Sequence, residues 1–223
     1  MKLLALETAT EACSVALLCQ QEILEQFEIA PRQHSELLLP MVDRLLAEAG
    51  LGLSDLDAIA LGYGPGSFMG VRLAVASAQG LAMGADLPVV PVSTLQAMAQ
   101  RAWQQWQAPH VAPAWDARMG EMYWGGYQEQ AGIMLPLIDD HLSAPPLVSL
   151  PADISWRLVG NAWITYRESL PSQWQQDADL LHPSAAAVAT LAQYYFSLGQ
   201  YLSPDHVEPK YLRQRVAFRP GER

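Results

Sequence analysis

Apolar and polar positions along the first hundred residues fall into short runs whose spacing predicts a definite order of elements. Leu3–Leu6 and Ser14–Leu18 read as strands, Gln20-Gln21 as a hairpin turn, and Ile23–Ile29 as a third strand. A helix is expected from Ser35 to Ala49, because Leu37, Leu38, Met41, Val42, Leu45, Leu46 and Ala49 recur with a helical period. Pro40 inside it removes one backbone donor or marks the true first turn. Next come a strand at Ala58–Leu61 and a glycine-rich loop, Gly62-Tyr63-Gly64-Pro65-Gly66-Ser67-Phe68-Met69-Gly70-Val71-Arg72. An Ala-rich helix follows to Gly84, with Ser67 placed to cap it. A strand at Val89–Val92 and a helix capped by Ser93 or Thr94 complete the series.

This order, β-β-β-α-β-α-β-α, is that of the ribonuclease-H-like unit of the actin and sugar-kinase superfamily, a fold-level analogy. After Pro109–Pro113 the pattern restarts: Val111–Trp115, a turn at Met119-Gly120, Met122–Tyr127 and Ile133–Ile138 read as strands. Asp116 then ends its first strand where Glu7 ends the earlier one, as a duplication would have it. The expected architecture is a two-lobed, actin-like α/β fold with lobes at residues 1–108 and 109–223. Beyond the repeat, Arg157–Val159 reads as a strand and Ala185–Leu198 as the last long helix. The Gln/Trp runs Trp103–Gln107 and Trp174–Gln176 read as surface.

Composition narrows the functions open to such a chain. Its 223 residues are 51% apolar, enough for a sizeable core. A net charge of −10 argues against a surface built to grip nucleic acid, which needs clustered Lys and Arg. The last fourteen residues differ: Lys210, Arg213, Arg215, Arg219 and Arg223 stand against Glu222 alone. Such a tail suits tRNA or an acidic partner, or is simply solvated. Cys13 and Cys19 lie on one predicted strand, roughly 20 Å apart at strand rise, too far to bridge. Two unpaired thiols, and an opening that passes directly from Met1 into a strand, predict a cytoplasmic protein without a cleaved leader. The longest uncharged run, Leu73–Ala85, reads as a buried helix.

The candidate chemistry is sparse. None of the five histidines lies three to five residues from another His or Cys, so no metal site is expected. Ser67 lacks the G-x-S-x-G setting of a hydrolase elbow, and no G-x-x-x-x-G-K-[ST] loop is present. Two-lobed phosphotransferases hold phosphate on hairpin turns, which makes Glu7, Thr8, Thr10 and Asp116 candidates for weak nucleotide binding. The turn Arg118-Met119-Gly120-Glu121 is short and bulky by comparison. The other candidate is an interface. Gly70, Ala74, Ala78 and Ala82 recur every four residues and leave one helix face nearly bare backbone. With Val71 and Val75, and with His34, Leu37, Leu38, Met41 and Leu45 of the preceding helix, they form the predicted partner surface. The same apolar faces could instead cover the sheet.

Five ordered motifs carry a resemblance to a known family. They are Met1–Leu17, His34-Ser35-Glu36-Leu37-Leu38-Leu39-Pro40, Gly64–Arg72, Asp116–Tyr123 and Tyr211-Leu212-Arg213, and together they resemble the TsaB (YeaZ) family. The resemblance implies a role in making threonylcarbamoyladenosine beside the anticodon of tRNAs that read A-starting codons. It implies a non-catalytic scaffold that binds the catalytic paralogue TsaD and the ATPase TsaE, and pairs with itself when alone. Such a subunit has no cofactor of its own, ATP being used by the complex, and meets tRNA mainly through that complex. The alternative is a glycoprotease-like peptidase or a nucleotide-hydrolysing enzyme. TsaD carries a His-x-x-x-His metal pair on its first helix, whereas His34 is followed here by Leu38. Glu7, Met69 and Trp115 depart from the usual Asp, Thr and smaller residue at their positions.

Overall fold

The three opening runs form β1 (Lys2–Glu7), β2 (Ala12–Cys19) and β3 (Glu22–Ile29) of a computed structural model that describes residues 1–213. Gln20 and Gln21 both take positive φ, 51° and 72°, the conformation of a tight two-residue hairpin turn. α1 (His34–Ala49) and α2 (Phe68–Ala85) flank β4 (Ala58–Gly62), and β5 (Val89–Val92) follows. Pro40 lies inside α1 on its exposed side. Ser67 caps α2, its hydroxyl accepting from Gly70 N at 3.0 Å, and Ser93 rather than Thr94 caps α3 (Thr94–Trp106). The first sheet has the order β3-β2-β1-β4-β5, antiparallel across β1–β3 and parallel through β1, β4 and β5.

The second half repeats that order with one strand fewer. β6 (His110–Arg118), β7 (Glu121–Gln130), β8 (Ile133–Ser143) and β9 (Arg157–Val159) form a sheet ordered β8-β7-β6-β9, with β6 and β9 parallel. A short helix the sequence did not announce, α4 (Asn161–Thr165), follows β9, and α5 (Ala185–Ser197) is the last long helix.

Period-two alternation on the strands builds the layers. Leu4 and Leu6 face α1 and α2 and pack with Leu38, Met41, Leu45, Ala74 and Ala78. Leu3 and Ala5 face the other way and pack with Val188, Leu191 and Ala192 of α5. α3 stands between the sheets, setting Leu95, Met98 and Ala102 against Val111, Trp115 and Val159. The far face of the second sheet is closed by α4 and its flanking turns, with Trp124, Trp156, Trp163 and Trp174 in the core.

Two expectations need adjusting here. The sheets change over between α3 and β6, at residue 108, but the residues beyond it do not all stay with the second sheet. α5 returns to cover the first sheet, because the second face of β1, β2 and β4 is apolar; of α3, Ala97 joins that cluster. Residues 202–213 then run back over the first half: Leu202 bridges Val89, Val207 enters the core beneath α2, and Lys210 N donates to Tyr63 O. The Gln/Trp runs are surface at Gln104, Gln105, Gln107 and Gln176, but their tryptophans turn inward. Trp174 is buried, and Trp103 and Trp106 pack against the core that α3 makes with the second sheet.

Candidate functional site

The first hairpin turn, candidate for phosphate, is closed by the chain's own backbone. Glu7 is fully buried; its Oε1 accepts from Ala9 N at 2.7 Å and its Oε2 faces the Thr94 hydroxyl at 3.4 Å. Burial dominates these contacts and raises its pKa from 4.5 to about 7. The glycine loop lies directly on the turn. Ser67 N donates to Ala9 O at 2.7 Å, and Thr8 Oγ1 donates to Gly70 O at 2.8 Å. A Cβ would come within 1.8 Å of Glu7 Oε2 at Gly62 and within 2.0 Å of Thr8 O at Gly70. The glycines thus let the loop seat on the turn. Thr8 and Thr10 are buried as well.

The second turn is held apart from it. Asp116 accepts from Arg118 N, from the Arg118 guanidinium at 2.9 Å and from the Tyr166 hydroxyl at 2.6 Å. No hydrogen bond among the described residues joins Asp116 to Glu7, Thr8 or Thr10. Between the turns, His182 Nδ1 lies 3.4 Å from Thr10 Oγ1 while its ring packs on Trp115, centroids 5.1 Å apart. Burial lowers the His182 pKa, which favours the neutral ring. Glu7, Thr8 and Thr10 are buried, and Asp116 is engaged by Arg118 and Tyr166. A magnesium–nucleotide group, which an actin-like fold implies, does not fit Glu7: both its oxygens face inward, onto the Ala9 N–H and the Thr94 hydroxyl.

The predicted partner surface is corrected in the same way. Leu38, Met41, Leu45, Gly70, Val71, Ala74, Val75, Ala78 and Ala82 are all buried inside the chain, and only His34 and Leu37 are partly exposed. The small-residue ladder is what lets α2 sit close on the sheet. A second stripe runs on the opposite side of α2. Met69, Ala76, Gly80, Met83 and Gly84 are exposed, and Leu73 is partly buried against the first core. At about 100° per residue this stripe lies roughly 150° around the helix from the buried ladder. Nothing approaches a Cβ built at Gly80 or Gly84 within 4 Å. Leu39 of α1 is also about half exposed.

Comparison with known proteins places this arrangement. The profile of TsaD, tRNA N6-adenosine threonylcarbamoyltransferase, matches residues 18–151. The tRNA threonylcarbamoyladenosine biosynthesis protein TsaB of Escherichia coli (strain K12) is 40% identical over the whole of both chains. Its namesake in Haemophilus influenzae is 41% identical over 99% of this chain and 98% of its own. The solved structure of YeaZ from Pseudomonas aeruginosa superposes with a TM-score of 0.89 at 44% identity, covering 95% of this chain and 99% of that one. The chain belongs to the TsaB (YeaZ) family.

One feature of this TsaB-family chain was missed by sequence reasoning. A cleft of about 390 Å³ opens where the two sheets and the C-terminal strap, residues 202–213, meet, lined by Tyr63, Gln96, Tyr195, Tyr201 and Lys210 among others. Its wall holds Asp140, whose side chain is 1% exposed. The carboxylate accepts from Ser93 Oγ at 2.5 Å, from the Tyr127 hydroxyl and from Lys210 Nζ at 2.7 Å. One carboxylate thus joins the start of α3, the second sheet and the strap. The sequence presents Lys210 only as one charge of the tail, and its position beside Tyr211-Leu212-Arg213 is the available signal. Asp140 gave none, since it stands in an ordinary acidic pair with Asp139. Lys210→Met is expected to cost about 2 kcal/mol, the cost of a hydrogen bond to a charged group, the two hydroxyls still satisfying the carboxylate. Urea unfolding, with proteolysis reporting on residues 202–213, checks this.

Proposed function

We propose that this chain is a scaffold subunit, without chemistry of its own, for threonylcarbamoylation of the adenosine next to the anticodon of tRNAs reading A-starting codons. Its relatives' names support the pathway. It binds the catalytic paralogue TsaD, the ATPase TsaE joins the pair, and ATP is used by the complex rather than held as a cofactor here. It works in the cytoplasm and pairs with itself when TsaD is absent.

The observation that carries this reading is the exposed stripe of α2. Met69, Leu73, Ala76, Gly80 and Met83 are spaced four, three, four and three residues apart, the 3.5-residue repeat of a left-handed helix–helix seam. Small residues at its centre allow close approach, and methionines at its ends adapt to different partners. α2 reaches a mean hydropathy of 1.2 across its 18 residues because both its core face and this stripe are apolar. An apolar helix face left in water calls for a cover. The closed turn at Glu7 supports the absence of nucleotide chemistry.

Reconstitution with TsaD and TsaE tests it. Modified adenosine is expected only when this chain is present; unchanged yield without it overturns the proposal.

A further inference from the structure

We infer that a strip running from the start of α2 across the C-terminal strap to the β6–β7 turn binds single-stranded RNA. The inference rests on the proposed role in tRNA modification for its choice of partner, but its observations are separate. Phe68 and Tyr211 are each half exposed and lie stacked, ring centroids 6.3 Å apart with planes 29° from parallel. The Arg72 guanidinium sits 3.5 Å over the Phe68 ring, and its Nε donates to the Tyr211 hydroxyl at 2.6 Å. These contacts fix two aromatic faces and a cation in one orientation at the surface. Among the described residues Arg72 faces no carboxylate within salt-bridge distance.

Two residues on from Tyr211, Arg213 donates to Arg118 O at 3.2 Å and to Glu121 at 2.6 Å, which draws the exposed Arg118 and Met119 into the same strip. Arg72, Arg118 and Arg213 stand against Asp116 and Glu121, leaving one positive charge in excess. Arg215, Arg219 and Arg223 of the expected basic tail lie outside the described residues. This local excess of positive charge lies on a chain whose net charge is −10. Pre-ordered aromatic faces with adjoining arginines suit bases that stack and phosphates that pair, without reading sequence. The strip interleaves aromatic and methionine edges with guanidinium groups, a surface on which bases stack while phosphates meet the arginines.

The test is fluorescence anisotropy of the full chain with a labelled single-stranded RNA oligonucleotide at about 50 mM salt, where phosphate contacts are strongest. Tyr211→Ala, which truncates a half-exposed ring, is expected to weaken binding about tenfold, the loss of one stacked base. Arg72→Gln is expected to weaken it and to lower the salt slope by about 0.7, one phosphate contact on a single strand. Capture of TsaD by either variant is expected to stay unchanged. Absence of binding by the unaltered chain overturns the inference, as does equal binding by the variants. Loss of TsaD capture together with RNA binding also overturns it and makes the strip part of the protein seam. A failure of the reconstitution above leaves these outcomes readable, since they require no modification activity.

Discussion

Gly80→Arg is expected to leave the chain folded and to abolish its pairing, whereas Ala78→Arg, two residues away, is expected to prevent folding. The two positions stand on opposite sides of α2. Ala78 is 0% exposed and packs against the first sheet. An arginine there carries an unpaired charge into the core, a cost well beyond the total stability of about 5–15 kcal/mol that a domain possesses. Gly80 is exposed, and nothing lies within 4 Å of a Cβ built on it. Replacing a glycine inside a helix removes a backbone-entropy penalty of about 0.5–1 kcal/mol, so Gly80→Arg is expected to melt no lower than the parent chain. In the seam, however, the same side chain stands between two closely packed helices and brings a charge into an apolar contact. Affinity for TsaD, and self-association, are expected to fall at least a hundredfold. Thermal melting with size-exclusion light scattering and TsaD capture separates the cases. Normal pairing by a folded Gly80→Arg variant would place the interface elsewhere.

Spacing alone could not choose between the two stripes. The ladder Gly70-Ala74-Ala78-Ala82 and the seam Met69-Leu73-Ala76-Gly80-Met83 are both apolar and both periodic, and only the placement of the sheet decides which is covered. The first half of the fold was legible because each strand and helix there carries its own local signal: short apolar runs at β1 and β2, caps at Ser67 and Ser93, and a paired Gln20-Gln21 turn. Later elements reported themselves only in part. Arg157–Val159 and Ala185–Leu198 were recognisable as elements, but nothing within α5 says which sheet it covers. That choice depends on Leu3, Ala5 and Ala16 being apolar some 170 residues earlier, and on Ser14 and Glu25 accepting from Ala185 N and Ala186 N at 2.9 Å each. These side chains satisfy backbone donors at a helix start that would otherwise go unpaired. The junction at Asp140 is illegible for the same reason, since its three donors come from distant segments.

Glu7→Gln is expected to raise stability at pH 8 by about 3 kcal/mol and to remove most of the fall in stability between pH 5 and pH 8. Glu7 has a folded pKa of about 7 against an ordinary 4.5, a difference set first by burial and only partly offset by the bonds from Ala9 N, the Thr94 hydroxyl and Thr8 N. Across that window the folded chain keeps the proton and the unfolded chain releases it. The stability linked to this group is therefore complete below pH 4.5, declines as pH rises through the window, and is lost above about pH 7. A difference of that size corresponds to about 3 kcal/mol at 1.36 kcal/mol per pH unit. A glutamine keeps an acceptor for Ala9 N, offers its amide to the Thr94 oxygen, and has no proton to release. His182, whose lowered pKa makes it lose stability as pH falls, contributes equally to both proteins and cancels from their difference. Urea midpoints of the two chains at pH 5, 6, 7 and 8 supply the comparison. Parallel curves would show that Glu7 stays ionised in the fold and would restore it as a carboxylate available to a cation. Converging curves toward acid would mean that the acidic residue ending β1 acts as a buried, protonated strut joining the first turn to α3, in a fold whose relatives include enzymes.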